Sequence, residues 1–120
     1  MGIKKIKVEV VEVTGIEYQC LALRTASTWS DKQKQTLEGC LGLVGETGEV
    51  VDLIKKHIYQ GHSLNVTELK KELGDVLWYL SYIANTYNIT LDDVMETNIK
   101  KLERRYPRGF EVNASVHREE

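Results

Sequence analysis

Four acidic residues form two pairs with the same spacing. Glu46 and Glu49 are three residues apart, as are Glu72 and Asp75, and the second pair begins 23 residues after Glu49. If the two pairs meet on packed helices, two carboxylates about 5 Å apart repel each other by about 3 kcal/mol at an effective dielectric constant of 20. Hard divalent cations that prefer oxygen ligands remove this repulsion. The four acids therefore predict a site for Mg²⁺, with Mn²⁺ as the alternative.

The positions of these acids on their helices differ from those of ordinary surface charges. At about 100° per residue, Glu46 lies at the border of an apolar arc, with Val50 and Leu53 on either side of it. Glu72 lies at the edge of the apolar stripe of the next helix. A solvated pair would face away from the core, so this placement favours a metal site.

Two other interpretations of the acids remain open. They could form salt bridges, for which the available partners are Lys56 for Glu49 or Asp52, and Lys70 or Lys71 for Glu72. They could also hold a di-iron centre, but such a site uses a Glu-x-x-His motif. No histidine follows an acid of this set by three residues.

Polar side chains suited to phosphate lie on the predicted last helix. Asn98 falls within its apolar stripe, and Lys101 and Arg105 border the stripe on the same side. A buried asparagine without a partner costs about 1–3 kcal/mol, so Asn98 either bonds a neighbouring backbone or contacts a ligand. Metal-binding acids with nearby cations suit a polyphosphate, because metal ions and Lys or Arg together neutralise its oxygens.

Lys56 and three aromatic residues are further candidates for substrate contacts. Lys56 lies on the same side of its helix as Glu49, although it could simply pair with an acid four residues earlier. Tyr79 could pack a sugar or base, or belong to the core of the bundle. Trp29 and Trp78 could stack on a base, or pack in the core or in an interface.

Periodicity and capping signals predict an all-α fold of the four-helix-bundle type with a short N-terminal β arm. Residues 1–13 form the arm, 14–110 the helical domain and 111–120 a polar, frayed tail. The expected helices run from about 14 to 26, from 32 to 59, from 65 or 67 to 87, and from 90 to 106. The first has apolar residues on two sides, which predicts burial between two helical layers, and Asn88 is a left-handed cap.

Composition excludes several classes of protein. The 120 residues include 16 Lys and Arg against 18 Asp and Glu, with a net charge of -2. A dedicated nucleic-acid binder would show a basic surplus, so no nucleic-acid partner is expected. The N-terminal segment has no continuous apolar run, which argues against a signal peptide and a membrane span. We expect a cytoplasmic protein.

Three stretches together resemble the MazG-like nucleotide pyrophosphohydrolases. They are GLVGETGEVVDLIKK at residues 42–56, ELGDVLWY at 72–79 and NIKKLERRYPRGF at 98–110. The stretch YQCLALRT at 18–25 resembles the first helix of short members, so the likeness covers about residues 16–110. The paired acids combined with the Asn-x-x-Lys-Leu ending are specific, whereas either feature alone is not.

This resemblance implies an all-α fold that forms homodimers or homotetramers, often with active sites built across the subunit interface. It also implies hydrolysis of a nucleoside triphosphate between the α and β phosphates, giving the monophosphate and pyrophosphate. The four acids would hold the metal ions, with Glu49 as the proposed general base. Asn98 and Lys101 would contact substrate, and Tyr79 would pack near the sugar.

Two alternatives to a triphosphate hydrolase stay open. The chain could be a non-catalytic helical interaction module whose acids pair with a basic partner. It could also hydrolyse another nucleotide pyrophosphate linkage, as in an alarmone or phosphoribosyl-ATP, because the acids contact only phosphates. We expect base preference to depend on the residues around Arg24, Trp29 and the turn at 57–64.

Overall fold

The computed structural model describes residues 12–27 and 29–118, and this part of the chain is all-helical, as predicted. The helices are α1 (Gly15–Ala22, continued by a 3₁₀ turn at Leu23–Thr25), α2 (Lys32–Tyr59), α3 (Val66–Thr86), α4 (Leu91–Arg105) and α5 (Val112–Val116). No strand occurs within 12–27 or 29–118. The predicted arm at residues 1–13 lies outside the described residues except for its last two positions, so the arm stays a prediction.

Side-chain caps fix where the helices begin. Thr14 accepts a hydrogen bond from the backbone N–H of Glu17 at 3.2 Å, and its hydroxyl donates to the Glu17 carboxylate at 3.1 Å. Asn65 and Thr90 cap α3 and α4 in the same way. Asn88 has φ 58°, which confirms the predicted left-handed residue between α3 and α4. The bounds of α2 agree with the prediction from sequence.

Helices α2 and α3 form an antiparallel hairpin that is the main contact of the fold. Gly61, with φ 70°, lies in the short connection between them. The helices approach closely at Gly42, where an added Cβ would lie 2.0 Å from the Tyr79 ring. This contact sets the register of α3 on α2, and the register places acids of the two helices opposite each other.

Helix α4 is held mainly against α1, by two polar side chains. Gln19, which is only 5% exposed, donates to the backbone carbonyls of Ser81 and Ile89 and accepts from the N–H of Leu91. The carboxylate of Asp92 in turn accepts from the first backbone N–H groups of α1, at 3.0 and 3.1 Å. These bonds satisfy polar groups at the starts of both helices and fix their relative position.

Much apolar surface of the described residues remains exposed. On the outer face of α2, Leu37, Leu41 and Val44 are 58%, 64% and 73% exposed. Helix α1 contacts both α3 and α4, but Leu21 is 59% exposed, so the predicted burial of α1 on two sides is incomplete within residues 12–27 and 29–118. Exposed apolar faces of this size are typical of surfaces that pack against another molecule.

The C-terminal tail differs from its prediction in one respect. Residues 111–120 were expected to be frayed, but the single-turn helix α5 lies within them. The backbone N–H of Ser115 donates to the Glu111 carbonyl at 3.1 Å, which closes this turn. None of the helices within the described ranges has both the length and the apolar character needed to cross a bilayer.

Candidate metal centre

Three of the four predicted acids meet between α2 and α3. Glu46 comes from α2, and Glu72 and Asp75 come from successive turns of α3. One carboxylate oxygen of each lies within 4.8 Å of the others. Glu46 and Glu72 are half-buried, whereas Asp75 is exposed. The site therefore lies at the rim of the helix hairpin, with its open side toward solvent.

The electrostatics of this cluster are unfavourable without a counter-charge. Partial burial, followed by the charges of Asp75, Glu46 and Glu49, raises the pKa of Glu72 above its ordinary value of 4.5. Ion pairs within 12–27 and 29–118 involve none of these acids: Lys71, a predicted alternative partner, bonds Glu68 at 3.1 Å. An all-carboxylate set of this kind fits a hard divalent cation.

Glu49 lies outside the group of three. It is exposed on the next turn of α2, and its charge contributes to the raised pKa of Glu72. The arrangement thus separates three convergent oxygens from one more distant carboxylate. The fourth predicted metal ligand, and its role as a general base, stay predictions.

Lys56 forms the simple ion pair that was its alternative interpretation. Its ammonium lies 2.7 Å from Asp52, whose other oxygen is 3.4 Å from Lys55. The hydrogen bond between them raises the pKa of Lys56 and lowers that of Asp52. Because both side chains of an exposed pair move easily, this pair is weak, and Lys56 can exchange Asp52 for a phosphate.

The aromatic residues of α3 divide into a packing residue and one beside the acids. The Trp78 indole N–H donates to the Ala22 carbonyl at 3.0 Å, which ties α3 to α1 and shows that Trp78 packs within the fold. Tyr79 is half-buried with its ring against Gly42, four residues before Glu46. Tyr79 thus lies about one turn from the acids on both helices.

Tyr18 of α1 is a site residue that the reasoning from residue types missed. Burial, followed by the charge of Asp75, raises the pKa of its phenol. Its hydroxyl is therefore close enough to Asp75 to experience the charge of that carboxylate. The signal present in the sequence was the likeness of residues 18–25 to the first helix of short family members, because patterning alone marks Tyr18 only as an apolar position.

The predicted phosphate-binding side chains Asn98 and Lys101 of α4 line a cavity whose lining includes none of the four acids. Asn98 and Lys101 are exposed and line a cavity of about 500 Å³ with Val94. Asn98 lies on the apolar stripe of α4 but is exposed in the single chain, because α4 packs mainly against α1 and leaves this stripe open. Arg105 is half-buried at the end of α4.

Comparison with known proteins agrees with the motifs. A sequence model described as the MazG nucleotide pyrophosphohydrolase domain matches residues 34–110, which include the four predicted metal ligands and the predicted substrate-binding residues. The Gene 37 protein of Mycobacterium phage L5 is 35% identical over 100 residues, which cover 77% of this chain and 88% of the phage protein. No solved structure gave a significant match.

Proposed function

Because the chain belongs to the MazG nucleotide pyrophosphohydrolase family, we propose that it hydrolyses nucleoside triphosphates between the α and β phosphates in a Mg²⁺-dependent reaction. The observation that supports this proposal is the convergence of Glu46, Glu72 and Asp75 within 4.8 Å. Their repulsion makes this cluster costly unless a cation or protons offset it. A triphosphate with its counter-ions is the ligand that such acids accommodate.

Each side chain has a separate task in this proposal. Glu46, Glu72 and Asp75 hold the metal, with Glu49 available as a fourth ligand. A bound divalent cation would neutralise phosphate oxygens and polarise the phosphorus under attack. Glu49 accepts a proton from the attacking water, since its exposed carboxylate lies outside the group of three. The new bond joins the water oxygen to phosphorus, and the bond to the oxygen bridging α and β phosphates breaks.

The second half of the proposed site comes from α4. Asn98, Lys101 and Arg105 contact phosphate oxygens, and Lys56 adds charge when it leaves Asp52. In one chain α4 lies against α1, and its apolar residues Ile99 and Leu102 are 56% and 45% exposed. We propose that a second copy covers this stripe, in a homodimer or homotetramer, and that helices of both copies enclose the substrate. Exposed apolar area on α2 supports the same arrangement.

A product assay tests the proposal directly. Purified protein is incubated with each NTP and dNTP, with and without Mg²⁺, and the products are separated. We expect nucleoside monophosphate and pyrophosphate only when Mg²⁺ is present. Release of single phosphates, or no turnover of any nucleotide, would contradict the proposed reaction. If the protein hydrolyses only an alarmone or phosphoribosyl-ATP, the proposed substrate is wrong but hydrolysis of a nucleotide pyrophosphate linkage still holds.

A further inference from the structure

The carboxylate of Glu38, eight residues before Glu46 on α2, lines a cavity of its own. The cavity has a volume of about 330 Å³ and is lined by Glu38, Ser27 and Trp29 together with side chains of α2. Glu38 is half-buried, and each of its oxygens accepts one hydroxyl: Ser27 at 2.9 Å and Tyr82 at 3.2 Å. Its carboxylate is therefore held in one orientation.

Glu38 has uncharged hydrogen-bond partners among the described residues. The ion pairs of residues 12–27 and 29–118 leave it out, and both of its hydroxyl partners are uncharged. Each carboxylate oxygen has about two acceptor sites. With one hydroxyl on each, Glu38 keeps capacity for two further N–H donors. Among the described residues, the hydrogen bonds to Glu38 come from these two hydroxyls, so the surrounding fold provides an oriented acceptor with positions open to a ligand.

This cavity and the acids lie on the same side of the α2–α3 hairpin. Asp75 approaches Tyr18 of α1, Trp78 bonds the end of α1, and Ser27 bonds Glu38 just beyond it. Residues after α1 therefore follow one edge of α3 from the acids to the cavity. Glu38 and Glu46 are eight residues apart on α2, about 12 Å at 1.5 Å per residue. That distance is comparable to the span from the phosphates of a nucleotide to the far edge of its base.

The walls of the cavity suit a flat ring. The Trp29 indole is 47% exposed, and the ammonium of Lys34 lies 5.2 Å from its ring centroid. The side-chain amide of Gln35 donates to the Trp29 carbonyl, which fixes this residue on α2. An exposed, anchored aromatic face contributes stacking to any base, about 1–3 kcal/mol by analogy with single-stranded nucleic acids. Selection among bases must then come from Glu38.

We infer that Glu38 recognises the nucleobase, and that the cavity selects guanine. This inference rests on the proposed function, because it assumes that the phosphates lie at the acid cluster. Guanine presents two adjacent donors, its ring N1–H and its amino group, which match the two free acceptor positions of a carboxylate. Uracil and thymine present one N–H between two carbonyl oxygens, and Glu38 repels both oxygens.

The hydrolysis of dGTP and dUTP tests this inference. We expect kcat/KM for dGTP to exceed that for dUTP by about tenfold or more, and Glu38→Gln to lower the ratio by about tenfold. Glu68→Gln is the matched control, because it makes the same change at a carboxylate that pairs with Lys71 and does not line the cavity. It should keep the wild-type ratio. Equal use of dUTP by the wild type, or an unchanged ratio in Glu38→Gln, would overturn the inference.

A binding measurement makes the result independent of turnover and of the folding of any variant. Titration calorimetry with the wild-type protein, Mg²⁺ and either dGMP or dUMP should show about tenfold tighter binding of dGMP. Equal affinities would contradict base recognition by Glu38. Selective binding of dGMP without hydrolysis of any triphosphate would contradict the proposed function and leave the inference standing.

Discussion

The α2–α3 hairpin and helix α4 are both amphipathic, but they differ in what their polar residues meet. In the hairpin, Glu46 and Glu72 lie half-buried at a rim and converge with Asp75 within 4.8 Å. On α4, Asn98 and Lys101 are exposed, and the adjacent apolar residues Ile99 and Leu102 are 56% and 45% exposed. One chain therefore completes the acidic half of the proposed site, whereas its basic half requires another surface.

The largest expected effect concerns the acidic half. Glu46→Gln or Glu72→Gln removes a charged ligand oxygen from the cluster, and we expect hydrolysis to fall by about 100-fold or more. Steady-state product formation in the presence of Mg²⁺ measures this loss, and circular dichroism checks that the fold survives. Glu68→Gln is the matched control, because Glu68 pairs with Lys71 one turn away. Wild-type rates in either cluster variant would show that the ligand assignment is wrong.

The next largest effect concerns α4 and would distinguish the basic half of the proposed site from the acidic half. Ile99→Asp places a charge on the exposed apolar stripe, so we expect the assembly to dissociate and hydrolysis to fall by about tenfold or more. Metal binding should persist, since the three acids belong to one chain. Light scattering gives the mass, and melting with and without Mg²⁺ reports the metal.

The control for this variant lies on the same helix. Glu96→Ala breaks only an exposed pair with Lys100 at 2.7 Å, which is worth about 0.3–0.5 kcal/mol. Its mass and activity should match the wild type. A monomeric wild-type protein with full activity would contradict the need for a second copy.

A third prediction compares two glycines of α2. At Gly42 an added Cβ meets the Tyr79 ring at 2.0 Å, but at Gly45 nothing lies within 4 Å. Gly42→Ala should therefore lower the free energy of unfolding by about 1–3 kcal/mol, because a tightly packed contact must shift. Gly45→Ala should raise it by about 0.5–1 kcal/mol, because alanine favours the helix. Urea denaturation of both variants measures the difference, and equal effects would show that α2 and α3 do not approach at Gly42.

The contrast between the hairpin and α4 also explains what the sequence could predict. The bounds of helix α2 follow from capping and periodicity, which depend only on neighbouring residues. The convergence of Glu46 with Glu72 follows from their positions at the edges of two apolar faces that pack together. The surroundings of Asn98 do not, because an apolar stripe shows that a face is covered without showing by which chain. Tyr18 and Glu38 were missed for a related reason: their neighbours Asp75 and Tyr82 are distant in sequence.

The smallest expected effect is a pH dependence that arises in the hairpin alone. Because the pKa of Glu72 is raised above 4.5, the folded protein binds this proton more tightly than the unfolded chain. The metal-free stability from this group is then fully present below pH 4.5 and falls as pH rises through the raised pKa. Asp52, with a lowered pKa, acts in the opposite sense, and its contribution is lost only as pH falls below 3.8.

The melting midpoint of the metal-free protein should fall as the pH rises from 4 to 7. The Glu72→Gln variant should show a smaller fall. Millimolar Mg²⁺ should raise the midpoint by mass action, and more at pH 7 than at pH 5, since the ligands must be deprotonated to bind. Substitutions of Asn98 or Lys101 on α4 should change neither the pH dependence of the melting midpoint nor its response to Mg²⁺, because these residues lie away from the acids. An equal Mg²⁺ response in Glu72→Gln would place the metal elsewhere. A changed pH dependence of the melting midpoint in Lys101→Met would instead show that α4 lies over the acids within one chain.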